Sequence, residues 1–190
     1  MPRRPRVIRG PGFFHLTCRG DRREPIYLDD GDYLRFCAII DDVVERYGWR
    51  CHAYCLMPNH YHLLVELLDG SLSEGMRRLN TSYAQWFNRK YGYVGHVFQE
   101  RFFSDWLDGE YHVLELTRYI VLNPCRAGLA PDPSAWRWSS YRATIGEAPV
   151  PRFLTTEWVL GLFGTDRARA GAAYRQFVRA APVEYRRRPR

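Results

Sequence analysis

The side chains with chemistry to offer come in two pairs, His60 with His62 and Tyr119 with Asn123. The histidines sit in Met57-Pro-Asn-His-Tyr-His-Leu-Leu-Val-Glu66, which opens on a Pro58-Asn59 turn and then alternates. His60, His62 and Leu64 fall on one side of a strand, and Tyr61, Leu63 and Val65 on the other. Residues i and i+2 of a strand share a face, so two imidazoles stand together, as two ligands to one metal ion would. Tyr119 and Asn123 are four apart in a helical pattern, hence one turn apart on one face. An amide oxygen can be the third ligand to a hard divalent cation. A phenol ordinarily ionises at about pH 10 and becomes a usable nucleophile where a metal, or an arginine such as Arg118 or Arg126, favours its ionised form. Each pair also has a plain reading: His-x-His occurs in ordinary surface and core strands, and Tyr119 can pack while Asn123 caps a helix ahead of Pro124.

The elements that must carry these residues follow from periodicity. Phe13 to Arg19 alternates as a first strand ended by Gly20-Asp21. Asp29-Asp30-Gly31-Asp32 offers capping side chains before a helix whose apolar positions run from Leu34 to Tyr47, with Gly48 as its stop. Trp49 to Leu56 and His60 to Leu67 form a hairpin. The Cys51 and Cys55 side chains, four apart in the first of these strands, are expected on one face. Ser71 and Glu74 resemble a capping box ahead of a helix with the stripe Met76, Leu79, Tyr83, Trp86 and Phe87, ending near Lys90. That stripe reads as core. A fourth strand is expected over 99–107 and a helix over 110–122, ended by Asn123-Pro124 because proline disfavours helix in the residue before it. Short helices are expected at 134–143, 155–163 and 166–180. The order β-α-β-β-α-β then helix predicts an α+β fold, a four-stranded antiparallel sheet of the split βαβ, ferredoxin-like kind with helices packed on one face.

The divisions expected are a basic Pro/Gly-rich arm at 1–12, a main domain at 13–145, and a helical C-terminal extension with a basic tail at 146–190. A hydrophobic content of 46% rules out a disordered chain, and no run approaches the roughly 18 apolar residues of a membrane span. The net charge is +7 and nearly all the positive charge is arginine, Lys90 being the only lysine. Arginine's planar fork suits phosphate and stacks on bases, so nucleic acid is favoured over an acidic small molecule, although an arginine-rich surface can also be merely solvated. Five cysteines, Cys18, Cys37, Cys51, Cys55 and Cys125, have no CxxC spacing and read as buried free thiols. Met1 is followed by Pro-Arg-Arg-Pro-Arg and not by an apolar signal segment, and a reducing cytoplasm is the expected compartment.

Several blocks, in order across residues 7–145, resemble the single-tyrosine HUH transposases, and within them the REP-associated tyrosine transposases. They are Arg19-Gly20, Met57-Pro-Asn-His-Tyr-His-Leu-Leu-Val65, Tyr83-Ala-Gln-Trp-Phe-Asn88, Gly95-His-Val-Phe-Gln-Glu-Arg-Phe-Phe-Ser104, Arg118-Tyr-Ile-Val-Leu-Asn-Pro-Cys-Arg-Ala-Gly128 and Trp138-Ser-Ser-Tyr-Arg142. The resemblance implies a metal-dependent endonuclease and strand transferase acting on single-stranded DNA hairpins of the REP type. It implies Mg²⁺ or Mn²⁺ held by His60, His62 and Asn123, with Tyr119 as the nucleophile that forms a 5′-phosphotyrosine. Tyr61 between the histidines is bulky but not purely apolar, a mild departure from the family pattern. Candidates for contact with DNA are Arg19, Arg77, Arg101, Arg118 and Arg126, with Phe98 and Trp106 for stacking on unpaired bases. The active unit is a monomer or a homodimer. Two other readings stay open: a nucleic-acid-binding protein without cleavage, descended from such an enzyme, and an unrelated metal hydrolase using His60 and His62 with Glu66 as its base.

Overall fold

The computed structural model describes residues 10–68 and 72–180. Four strands, β1 (Gly12–Arg19), β2 (Arg50–Met57), β3 (His60–Leu67) and β4 (Phe103–Leu107), form one antiparallel sheet in the order β2-β3-β1-β4. Helices α1 (Asp30–Tyr47) and α2 (Leu72–Tyr91) make the two crossovers, which completes the expected split βαβ frame. The proposed arm lies mostly, and the basic tail wholly, outside the described residues, as does Ser71 of the expected capping box.

The two faces of the sheet have different jobs. Phe14, Leu16, Leu56, Tyr61, Leu63 and Val65 point into the main core, against Phe36, Ile39 and Val43 of α1 and Met76, Leu79, Tyr83 and Phe87 of α2. Tyr61, the residue between the two histidines, is fully buried there and donates to Asn80 Oδ1 at 2.6 Å. The opposite face carries Ala53, Cys55, Met57 and Leu64. It is covered by α3 (Glu110–Arg126) through Val113, Leu116 and Ile120. Helices therefore lie on both sides: the two crossover helices share one face, and the helix bearing Tyr119 takes the other.

Local chemistry fixes the ends of α1. Asp29 and Asp32 form a reciprocal capping box, and Gly48 closes the helix at φ 62°. Lys90, at the end of α2, reaches back to Asp29 at 2.7 Å and Asp32 at 2.6 Å, which clamps the two helices together.

Other expectations change as well, among them the helix expected over 134–143, where only Pro133–Ala135 and Tyr141–Thr144 are helical. Cys51 and Cys55 do not share a face, because a β-bulge between Cys51 and Ala53 shifts the register and reverses the alternation. Cys51 enters the main core and Cys55 the α3 layer. Both thiols are free, and burial pushes Cys51 up to about 12. β4 starts at Phe103, since residues 97–99 form a strap joined to the end of β1 by the Gly20–Phe98 bridge. Finally, α3 runs on through Pro124 to Arg126.

Beyond α3 come α4 (Tyr141–Thr144), α5 (Glu157–Gly161) and α6 (Arg167–Arg179). Leu154 bridges to Cys51, and Thr155 N–H donates to the Cys51 carbonyl at 2.7 Å, which ties the C-terminal segment to the edge of β2. Val159, Tyr174 and Val178 pack behind α3 on Val121. This segment buttresses the helix that carries Tyr119. Among the described residues no helix is long and apolar enough to cross a membrane.

Candidate nuclease site

The α3 face of the sheet brings His60, His62 and Tyr119 together. His60 and His62 stand edge to face with ring centroids 5.0 Å apart, and the Tyr119 ring meets His62 at 5.7 Å in the same manner. His62 is buried and Tyr119 half-buried. Fifty-six residues of chain separate His62 from Tyr119, and the docking of α3 is what joins them.

The imidazoles are oriented by their neighbours. His60 Nδ1 lies 2.7 Å from Asn59 Oδ1, while Asn59 Nδ2 donates to the Arg23 carbonyl at 2.8 Å. An amide oxygen only accepts, so Nδ1 of His60 carries a proton, and in the neutral ring Nε2 then carries the lone pair. His62 Nδ1 lies 2.9 Å from Nε2 of His15, a fully buried residue of β1. The His15 ring lies nearly parallel to that of His62 with centroids 5.2 Å apart, and meets the Tyr119 ring at 6.0 Å.

Asn123 sits one turn beyond Tyr119. Its Nδ2 donates to the carbonyls of Tyr119 at 2.9 Å and Ile120 at 3.3 Å. Pro124 has no N–H to give the Ile120 carbonyl, and the Asn123 amide supplies that donor, so the helix continues past the proline. Since the nitrogen is turned onto the helix, Oδ1 is the atom the side chain presents.

Two imidazole nitrogens and an amide oxygen make a donor set suited to a divalent first-row cation or Mg²⁺. No group of three His, Cys, Asp or Glu side chains that could hold a metal occurs among the described residues, so a three-ligand site here requires the amide. The hydration and phosphate positions of such an ion stay open in a three-ligand set.

The arginines divide. Arg126 is exposed and its guanidinium carbon lies 5.0 Å from the centre of the Tyr119 ring. Arg19, also exposed, is the register partner of His60 and shares its face. Arg77 and Arg101 instead line a separate cleft of about 770 Å³ between α2 and the 95–102 strap. Arg118, expected to meet DNA, is 4% exposed: it pairs with Glu115, donates to the Phe177 carbonyl at 3.3 Å and stacks on the Phe177 ring. Its position on α3 turns it toward α6 and away from the sheet. Phe98 is half-buried, packs edge-on against Tyr61 and lines the same cleft as Arg77 and Arg101, and Trp106 is likewise half-buried against the main core. Glu66, the base of the hydrolase reading, binds His52 at 3.1 Å and Arg50 at 3.4 Å. Six residues of strand, about 20 Å, separate it from His60.

Sequence reasoning missed His15. Its place in the alternation Phe13, His15, Thr17, Arg19 marks a face, but the partner across that face is a pairing between strands and has no local signature.

The comparisons with known proteins agree with this architecture. A family model described as "Transposase IS200 like" matches residues 13–123. A Haemophilus influenzae protein, provisionally named a REP-associated tyrosine transposase, is 25% identical over 147 residues, spanning 70% of this chain and 82% of its own. A solved structure described as a REP-associated tyrosine transposase bound to a REP hairpin superposes with a TM-score of 0.64 at 20% identity. It covers 82% of this chain and 93% of that one, which shows the shared fold.

Proposed function

Because the chain belongs to the IS200-like transposase family, we propose that it cleaves and rejoins single-stranded DNA at REP-type hairpins through a phosphotyrosine on Tyr119. The observation that carries this reading is the meeting of the Tyr119 ring with His62, 5.7 Å away, and with the Arg126 guanidinium at 5.0 Å. Under this proposal Tyr119 is the nucleophile, His60 and His62 are a two-imidazole metal half-site, and Arg126 is a phosphate-binding fork.

In this reading His60 Nε2, His62 Nε2 and Asn123 Oδ1 hold Mg²⁺ or Mn²⁺. Held there, the ion would supply Lewis-acid stabilisation of the charge that builds on the phosphate and the leaving oxygen. Arg126 holds the scissile phosphate against the phenol. The Tyr119 oxygen attacks phosphorus in line and its bond to phosphorus forms as the bond to the 3′ oxygen breaks. The phenolic proton leaves to solvent and the 3′ oxygen takes one up, which yields a 5′-phosphotyrosine and a free 3′-OH. Bond energy is retained in the phosphotyrosine, so an incoming 3′-OH reverses the step and joins strands without ATP. Arg19, beside His60, is placed to follow the same strand's backbone.

The test is incubation of the protein with an end-labelled hairpin bearing a single-stranded foot, with Mg²⁺ or Mn²⁺, beside Tyr119→Phe. A covalent protein–DNA adduct is expected with the wild type and none with the variant. Hairpin binding without any adduct would favour the binding-only protein. Equal cutting by both proteins would remove Tyr119 from the role and revive a hydrolase.

A further inference from the structure

His15 belongs to none of the motifs that mark the site, yet it is in direct polar contact with one of the proposed ligands. Nε2 of His15 lies 2.9 Å from Nδ1 of His62, and both side chains are almost wholly buried, at 0% and 2%. The two rings are nearly parallel, at 16°, with centroids 5.2 Å apart. Around His15 stand Leu64 across on β3, Asp105 across on β4, Thr17 next on its own face, and the edge of Tyr119 at 6.0 Å.

A hydrogen bond between two imidazole nitrogens has two possible directions, and they differ in what they leave for a metal. If His15 donates, the proton of neutral His62 sits on Nε2 and neither nitrogen of His62 can ligate. If His62 donates from Nδ1, its Nε2 carries the lone pair. Metal-bound histidines almost always give their other N–H to an acceptor, which fixes tautomer and ring angle. That acceptor is usually a carboxylate, a carbonyl or water; here the geometry offers an imidazole. His60 meets the same requirement through Asn59 Oδ1. A purely packing role would be served by any flat apolar ring, and would not require a nitrogen aimed at Nδ1.

We infer that His15 is a positioning residue of the metal site, accepting the Nδ1 proton of His62 and so presenting Nε2 of His62 to the ion. The inference rests on His62 being a ligand, and deepens the proposed function without placing His15 in contact with metal or DNA. It also links the nucleophile to the metal site, since the ring that orients His62 borders Tyr119.

Two measurements test it. The first is a long-range ¹H–¹⁵N correlation of the metal-free full chain, with His62 assigned through His62→Gln. The expected result is protonated Nδ1 and lone-pair Nε2 on His62; a proton on Nε2 overturns the inference, and this reading needs no folded His15 variant. The second is Mn²⁺ affinity, by titration calorimetry or by the electron spin signal of free Mn²⁺. His15→Phe, which keeps a ring but offers no acceptor, should bind about 10- to 100-fold more weakly, the scale for a lost outer partner. His15→Gln, whose side-chain oxygen accepts, should recover much of that loss. A folded His15→Phe with wild-type affinity overturns the inference, as does a wild type that binds no Mn²⁺. If instead the tautomer and the Mn²⁺ affinity are as expected but no adduct forms on Tyr119, the transposase reading fails and the role of His15 stands.

Discussion

The guanidinium of Arg126 lies over the ring of Tyr119, 5.0 Å from its centre, about two turns further along the same helix. The contact holds the guanidinium, the proposed phosphate-binding fork, at the face of the proposed nucleophile.

Removing that fork should slow chemistry more than binding. Arg126→Ala is expected to lower the single-turnover rate of adduct formation by about 10²- to 10³-fold, the scale for losing one aligned donor at a reacting centre. Hairpin affinity should change far less. Arg126→Lys keeps the charge without the planar fork and should recover only part of the rate. Wild-type rates in Arg126→Ala would exclude the residue from the reaction.

Asn123 holds two roles that substitution can separate. Its nitrogen replaces the donor that Pro124 lacks, and its oxygen is the proposed third ligand. Asn123→Ala should lose both, with about 1 kcal/mol of stability for the hydrogen bond and weaker Mn²⁺ binding. Asn123→Asp retains an oxygen and no donor, so stability should fall while metal binding persists. Thermal melts and Mn²⁺ titration, run on both variants, check the split.

Arg118 should prove structural. Its side chain and that of Glu115 form a nearly dry pair, 5% and 10% exposed, between α3 and α6. Arg118→Ala leaves a buried carboxylate without its partner, a loss of about 3–5 kcal/mol. Glu115→Leu in the same chain should restore much of it. Denaturant unfolding of the single and double variants measures the effect. A folded Arg118→Met with lowered hairpin affinity would return Arg118 to the DNA surface.

His52 makes stability depend on pH in the mildly acid range. Burial lowers its affinity for a proton, and the contact with Glu66 offsets only part of that. The folded pKa lies below the unfolded value of about 6.5, so the unfolded chain binds more protons over this window and stability rises with pH. The contribution is present above about pH 6.5 and is lost as pH falls toward the folded pKa. His52→Gln should flatten the curve of unfolding free energy between pH 7 and 5, and an unchanged slope would assign the dependence to another group.

Gly20 should resist substitution for reasons of space. A Cβ there would fall on the Glu24 carbonyl and 2.8 Å from Ile26 Cγ2, while the Gly20 N–H donates to Asn59 at 2.8 Å. Asn59 in turn orients His60. Gly20→Ala is expected to cost about 1–3 kcal/mol and to weaken Mn²⁺ binding, read by the same melt and titration.

Periodicity within the chain was enough to place each half of the site on its own element. His60 and His62 share a strand face because strands repeat every two residues, and Tyr119 and Asn123 share a helix face because helices repeat every 3.6. The order of the six elements likewise implied the four-stranded sheet that is observed. What lies across from a face is a different matter, because it depends on pairing between distant segments. Only the fold puts α3 on the sheet face opposite α1 and α2, and so sets Tyr119 against His62. Only strand pairing brings His15 to His62, 47 residues away. The bulge beside His52, which parts Cys51 from Cys55, leaves no mark in the alternation, because the extra residue is defined by what it fails to pair with. Arg118 and Arg126 look alike in sequence, and two turns of helix decide between them. One is turned into the α6 interface as a buried ion pair, and the other over the tyrosine at the site. A residue's type and period state what it can do and which way it points, and packing alone supplies the partner that it meets there.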